Sequence, residues 1–209
     1  MIREFDAQHP AWVAQARAIY EESFPPAERV PFADLVAYYL TNDAMYAWAA
    51  HSADALVGFA FTLTLQGTGA ELLCYLAVAS EQRNCGVGAE LLQAVVAAVR
   101  ARGTATGILL EVESPEEVPE PERTLRQRRI AFYRRHGAEI ACCAPIYQSL
   151  NLADGGTLPM HLMWLPLRDA ADGLEGPCLR ACVRAIYEQG YGLPSDHPLV
   201  REALDRLSC

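Results

Sequence analysis

The chain has 209 residues, 52% hydrophobic and 21% charged, with a formal net charge of −9. That length suits one domain with a small appendage, and the acidic balance argues against nucleic acid or an anionic membrane as partner, because both demand basic surface. Seven cysteines, an odd number without a C-x-x-C pair, read as reduced and mostly buried thiols. Met1-Ile-Arg-Glu-Phe-Asp6 has acids where a signal peptide has an apolar core, and no apolar run is long enough to span a bilayer, so a cytoplasmic protein is expected.

In chain order, Trp12, Ala16, Ile19 and Tyr20 predict a helix over 10–22, stopped where Pro25 and Pro26 bring no amide donor. Pro31 opens a second helix reaching Leu40, with Phe32, Leu35, Val36 and Tyr39 on one face. Met45–Ala50 and Leu56–Leu65 read as strands around His51-Ser-Ala-Asp54. After Gln66-Gly-Thr-Gly69, Leu72–Ala79 is a near-unbroken apolar run of strand length, the pattern of a strand buried on both faces. Ser80–Asn84 are polar, Gly86 and Gly88 follow, and Leu91, Leu92, Val95, Val96 and Val99 form one apolar helical face. A strand over 107–113, a proline- and acid-rich loop over Ser114–Glu122 and a basic helix over Thr124–His136 come next. Glu139–Tyr147 and Met160–Leu167 are the last expected strands, linked by a loop containing Asp154-Gly-Gly-Thr. From Asp169 the pattern changes: a linker over Gly173–Pro177 precedes two amphipathic helices, one carrying Leu179, Cys182, Val183 and Ile186, the other Leu199, Val200, Ala203, Leu204 and Leu207. The expected division is a core over 1–168 and a helical extension over 169–209 packed on it, with a dimer contact or a substrate lid as its other uses. Cys178 and Cys182 lie four apart without a histidine pair, and no metal is expected.

Residues 71–102 organise the rest. Strand, tight glycine turn and helix leave the first helical amides unpaired, with the positive end of the helix dipole behind them, a ready anion site. Gly86 and Gly88 carry no side chain to block a phosphate, and Arg83 adds charge beside it. A dinucleotide fingerprint would need a glycine at position 91, which is Leu91, and a P-loop would need a lysine, of which the chain has none. Arg83-Asn84-Cys85-Gly86-Val87-Gly88 resembles the R/Q-x-x-G-x-G/A signature of the GNAT acyltransferase superfamily. Ile130-Ala131-Phe132-Tyr133-Arg134-Arg135-His136-Gly137-Ala138 resembles that family's late helix and turn, aliphatic-x-x-Tyr-x-x-x-Gly-Phe, with Ala138 in place of the final aromatic. The resemblance covers roughly residues 1–168. It implies an α/β (α+β) fold: a mixed, mostly antiparallel sheet of about six to seven strands, flanked by helices, with a splayed central strand pair admitting acetyl-CoA. It also implies N-acetyltransferase activity on a small amine, amino acid or peptide, and paired subunits are common among relatives. The alternatives are a non-catalytic acyl-CoA sensor and transfer of a longer acyl chain.

By the same resemblance, Leu76, Ala77 and Val78 would offer backbone to the pantetheine arm, and Arg83, Asn84, Cys85, Gly86, Val87, Gly88 and Ala89 would hold the pyrophosphate. Tyr133 matches the family tyrosine that meets the sulfur and is the candidate general acid, since a phenol with pKa near 10 stays protonated at neutral pH. Arg126 stands where relatives often place a cofactor-holding asparagine; it or Arg129 would reach a phosphate instead, the plainer reading being a solvated basic face. Three carboxylates are candidates for the base. Glu113, nearer the carboxyl end of its strand, leads; Glu111 shares its face and comes second; Glu71, at the start of the central strand and one residue out of register, is third. A water chain serving as base is the other reading. Glu28 and Arg29 sit where the early helices of relatives frame the acceptor, and His161 is either a pocket or a core histidine.

Overall fold

In the computed structural model, residues 1–116, 118–142, 147–167 and 174–207 are described. Among them, eight strands form a mostly antiparallel sheet with one parallel pair, accompanied by six α-helices. The chain divides into two compact units: Met1–Thr64, Leu73–Gly103 and Leu152–Asp154 in the first, Leu65–Leu72, Thr104–Asn151 and Gly155–Cys209 in the second. The boundary expected at 168/169 lies outside the described residues, as do Glu117, Cys143 and Cys209.

In the first unit, β1 (Ile2–Glu4), β2 (Met45–Ser52) and β3 (Ala55–Leu65) pair antiparallel in that order, with Ile2 opposite Ala50 and Met45 opposite Leu63. β1 was not expected, because three residues show no periodicity; only its pairing with β2 defines it. Helix α1 (Pro10–Ser23) starts under a His9 cap, whose Nδ1 accepts the Trp12 N–H at 3.3 Å, and it ends before the two prolines. It buries the expected stripe of Trp12, Ala16, Ile19 and Tyr20, while α2 (Phe32–Thr41) turns Phe32 and Leu35 inward. Aromatic edges and faces interlock here: the Tyr20 ring lies 5.3 Å from Phe32, 5.5 Å from Phe24 and 4.9 Å from Tyr75. β4 (Ala70–Val78) starts in the second unit and runs into the first, and α3 (Val87–Arg102) follows it, burying Leu91, Leu92, Val95 and Val99. Backbone approach is close where these elements meet β3. A Cβ on Gly58 would sit 2.9 Å from the Ala77 carbonyl oxygen and 3.1 Å from Leu91 Cδ1, so no side chain fits there.

In the second unit, β8 (Thr157–Pro166) is the hub. β5 (Gly107–Glu113) runs antiparallel to it from Gly107 opposite Pro166 to Glu113 opposite Met160. β6 (Glu139–Cys142) pairs with its later residues and β7 (Gln148–Leu150) with Thr157–Pro159. The single strand expected over 139–147 is therefore corrected: Tyr147 directly precedes a separate strand on a different stretch of β8, and 143–146 lie outside the described residues. A Cβ on Gly107 would fall 2.1–2.5 Å from the Trp164 indole, which requires glycine there. Helix α4 (Glu122–Arg135) begins two residues earlier than expected.

Helix α5 (Gly176–Ala185) continues into a π turn over Ile186–Gly190, and α6 (Pro198–Arg206) starts under His197, whose Nδ1 accepts the Leu199 N–H at 3.3 Å. Cys182, Val183 and Ile186 of the first expected stripe and Val200, Ala203 and Leu204 of the second are buried, Leu179, Leu199 and Leu207 are half-buried, and Tyr187, outside the stripe, is buried too. Gln189 fastens this segment twice to Gln66, accepting its N–H at 2.7 Å and donating to its carbonyl at 3.1 Å. The five described cysteines are free thiols, but Cys85 and Cys178 are exposed, against the expectation of mostly buried ones. Among the described residues no helix is long and apolar enough to cross a membrane.

Candidate active site

The turn after β4 has the form the sequence predicts. Asn84 (φ +64°) and Gly86 (φ +88°) both adopt the left-handed conformation, which in turns of this kind directs backbone amides into a common concavity. Gly86 caps α3 without a side-chain contribution, and the first helical bond runs from Glu90 N–H to Gly86 O at 3.0 Å. The amides of Val87, Gly88 and Ala89 therefore precede the hydrogen-bonded ladder, at the positive end of a 16-residue helix. The space at Gly86 is open: a Cβ there would meet nothing within 4 Å. Arg83 is engaged by its neighbours. Rather than standing free, it donates through Nε to Val78 O at 3.2 Å and through Nη2 to Glu22 Oε1 at 3.2 Å and Ser23 Oγ at 3.4 Å. It is a strut between the turn, the end of β4 and α1. Leu76 and Val78 are half-buried, Ala77 is buried, and the Val78 carbonyl is engaged by that strut.

In the second unit, β5 presents Glu111 and Glu113 at alternate positions, hence on one face. Their partners set them apart. Glu113 is ion-paired to Arg129 of α4. Glu111 is largely enclosed, and Tyr147 donates to its Oε1 at 2.6 Å while Tyr191 donates to Oε1 at 2.8 Å and Oε2 at 2.9 Å. Burial pushes the Glu111 carboxyl above the ordinary carboxylate range, opposed by the two phenol donors. Tyr187 donates to the Gln148 carbonyl beside this cluster, its ring 5.9 Å from that of Tyr191. Glu71 is wholly buried at the start of β4.

Tyr133, on the inner face of α4, is 8% exposed, with its ring packed edge-on against Phe132 at 5.1 Å. Burial raises its pKa, with the nearby Arg129 charge opposing, so the hydroxyl is protonated at neutral pH and makes no hydrogen bond among the described residues. Arg126 is committed locally: Nη1 donates to Ser114 O at 2.7 Å, and Nη2 pairs with Glu122. His161, opposite Val112, is 4% exposed, and burial lowers its pKa, so it is neutral in the physiological range.

In the first unit, Glu28 closes a short 3₁₀ turn and its carbonyl accepts from the Tyr75 hydroxyl at 3.3 Å. The Arg29 guanidinium stands 6.0 Å from the centre of the Tyr20 ring. Tyr20 donates to Val30 O at 3.1 Å, and burial pushes its hydroxyl up to about 12. The sequence reading missed Tyr147, Tyr187 and Tyr191. One signal was present: Tyr187 and Tyr191, four residues apart after an amphipathic helix, carry polar tips on an otherwise buried face.

Residues 43–137 match the family model of the acetyltransferase (GNAT) domain. No curated protein matches the chain in sequence. Among solved structures, a GNAT-family protein from Bacteroides thetaiotaomicron is 23% identical with a TM-score of 0.70, the alignment covering 93% of this chain and 99% of that one. An aminoglycoside 6′-N-acetyltransferase complexed with coenzyme A is 24% identical (TM-score 0.64, 82% of this chain and 99% of that one). The ribosomal-protein-S18-alanine N-acetyltransferase of Escherichia coli is 18% identical (TM-score 0.58, 84% and 99%). At these identities the structural likeness speaks to the fold, and the family model supplies the domain. Residues 43–137 are similar to the acetyltransferase (GNAT) domain, and the chain shares the fold of the GNAT-family structures named above.

Proposed function

We propose that the chain transfers the acetyl group of acetyl-CoA to the amine of a small cationic acceptor. The observation that carries this reading is the turn over 83–89, where two left-handed residues and the open N-terminus of α3 supply unpaired amides for a pyrophosphate. Coenzyme A in a structure of the same fold supports the donor. The acceptors named for similar structures, an aminoglycoside and an alanine of ribosomal protein S18, both undergo N-acetylation, and a net charge of −9 favours a cationic amine. Seven cysteines without a C-x-x-C pair fit a reducing, cytoplasmic compartment.

The reaction needs one proton removed and one supplied. The amine nitrogen attacks the thioester carbon, the C–N bond forms and the C–S bond breaks. Glu111 takes the proton that the amine loses, directly or through a water, and Tyr133 gives its hydroxyl proton to the departing CoA thiolate. Glu111 is preferred to Glu113 because Arg129 stabilises the ionised form of Glu113, which weakens it as a base. Burial makes Glu111 the stronger base of the two.

The test is thiol release from acetyl-CoA across aminoglycosides, polyamines, amino acids and alanine-terminated peptides, with a no-acceptor control for the protein's own cysteines. Turnover of one amine class is expected, together with acetyl-CoA binding by calorimetry. Binding without turnover of any acceptor would overturn the transferase assignment, and absence of binding would overturn the reading of the turn.

A further inference from the structure

The segment after α5 lies outside the residues matched by the GNAT domain model. Its helix does not simply end. Tyr191 N–H bonds to Ile186 O at 3.0 Å, five residues back, so the last turn is widened to π geometry, and Leu193 N–H closes it on Tyr187 O at 3.0 Å. In a regular helix Tyr187 and Tyr191 would share one face. Here their hydroxyls take different partners: Tyr187 goes to Gln148 O, whereas Tyr191 bridges both oxygens of Glu111. Gln189, between them, is locked to Gln66 at 2.7 and 3.1 Å, which fixes where the turn stands. Widened turns of this kind often mark functional positions.

We propose that Tyr191 is a positioning residue for acetyl transfer, holding the Glu111 carboxylate in the orientation that leaves Oε2 as its proton-accepting oxygen. The proposal rests on Glu111 being the base. Oε1 accepts from both Tyr147 and Tyr191, while Oε2 accepts from Tyr191 alone, so Oε2 has the more open lone-pair capacity. The titratable groups facing Glu111 among the described residues are Tyr147, Tyr187 and Tyr191; its partner across β8 is the apolar Leu162. Burial pushes the Tyr147 and Tyr187 hydroxyls up, so they stay neutral while Glu111 titrates. Tyr191 then has two effects. It fixes the carboxylate rotamer, and it favours the ionised form, keeping a desolvated base available at neutral pH.

The test compares Tyr191→Phe, Tyr187→Phe and Glu111→Gln in the full chain. One arm measures the pH dependence of kcat/KM with acetyl-CoA and the fastest acceptor of the panel. The other follows the carboxyl of Glu111 by NMR in protein labelled at glutamate, assigned through Glu111→Gln. Tyr191→Phe removes a donor to the ionised form, so the Glu111 midpoint and the acidic limb should both move to higher pH by about one unit, a tenfold loss below the limb. Tyr187→Phe, which keeps both phenol donors, should move neither. If Tyr191→Phe lowers the melting temperature but leaves the limb in place, Tyr191 is structural only and the inference falls. If Glu111→Gln turns over normally, the base assignment itself fails, and the inference goes with it.

Discussion

The turn over 83–89 and the cluster around Glu111 are built in opposite ways. The turn is local: its amides, its left-handed Asn84 and Gly86 and the helix behind it come from about twenty consecutive residues, and in the proposed reading backbone geometry does the binding. The cluster is assembled from β5, the residue before β7 and the end of a π turn, residues 111, 147 and 191, and depends on side-chain hydroxyls meeting one carboxylate. A site made of backbone tolerates side-chain change, since most of its donors cannot be mutated away. A site made of three distant side chains is altered by the loss of any one of them. Mutations should therefore act steeply in the cluster and shallowly in the turn.

The steepest expected effect is at Glu111. Replacing it with Gln should lower kcat by about 10³-fold while acetyl-CoA affinity holds, measured by thiol release and calorimetry. Stability should move the other way with pH. The folded protein holds the Glu111 carboxyl above its ordinary range, so the group binds its proton more tightly folded than unfolded. Its contribution is complete below the ordinary carboxylate range and is lost as pH rises through the raised value. Melting temperatures of wild type relative to Glu111→Gln should therefore decline from acid toward neutral pH. A difference flat with pH would mean that Glu111 is not desolvated, and would weaken the case for it as a base.

Tyr133→Phe comes next, with an expected loss of about 10²-fold in kcat and little change in acetyl-CoA binding, because the phenol donates only as the thiolate forms. Its hydroxyl is not needed for packing: it has no hydrogen-bond partner among the described residues, so the melting temperature should hold. A large drop in stability without a kinetic defect would make Tyr133 a core aromatic.

The same contrast explains what could be read from the sequence. Leu72–Ala79, the glycines and the Leu91–Val99 stripe announce a strand, a tight turn and a helix, because each signal lies within one element, and all three elements form. Glu111 and Glu113 could be placed on one face of β5 by period-two alternation alone. How differently the two are partnered could not, because that depends on Arg129 on another element and on tyrosines thirty-six and eighty residues away. The sequence ranks Glu113 first, whereas Glu111 is the base proposed above on those contacts. Likewise, the sequence places the Arg83 charge beside the turn but does not show that Glu22, sixty-one residues earlier, lies against it. The split of the strand expected over 139–147 into β6 and β7 follows from pairing on β8, which no window along the chain contains.

Gly86→Ala tests the turn. Nothing lies within 4 Å of the added Cβ, so the cost is conformational: a residue held at φ +88° should destabilise by about 1–2 kcal/mol and lower the melting temperature by about 2–8 °C. Acetyl-CoA affinity should weaken with it, since any relaxation of φ turns the amides of the first helical turn. Loss of stability with unchanged affinity would reduce the turn to a packing device.

The smallest effects are expected at Arg83, and there the direction matters more than the size. Its ion pair with Glu22 leaves both side chains 47% exposed, so breaking it by Arg83→Ala should change stability by less than about 1 kcal/mol. For acetyl-CoA the two partners of that pair should have opposite effects. If the guanidinium leaves Glu22 to meet an incoming phosphate, Glu22 competes with the cofactor for the same cation. Arg83→Ala should then raise Kd, and Glu22→Gln should lower it by freeing the arginine, both differences shrinking as salt is added. If Arg83 stays as the strut joining Val78, Ser23 and the turn, both substitutions should leave Kd unchanged, and the backbone amides alone bind the pyrophosphate. Calorimetry of the two variants at low and high salt separates a side-chain contribution from a purely backbone one.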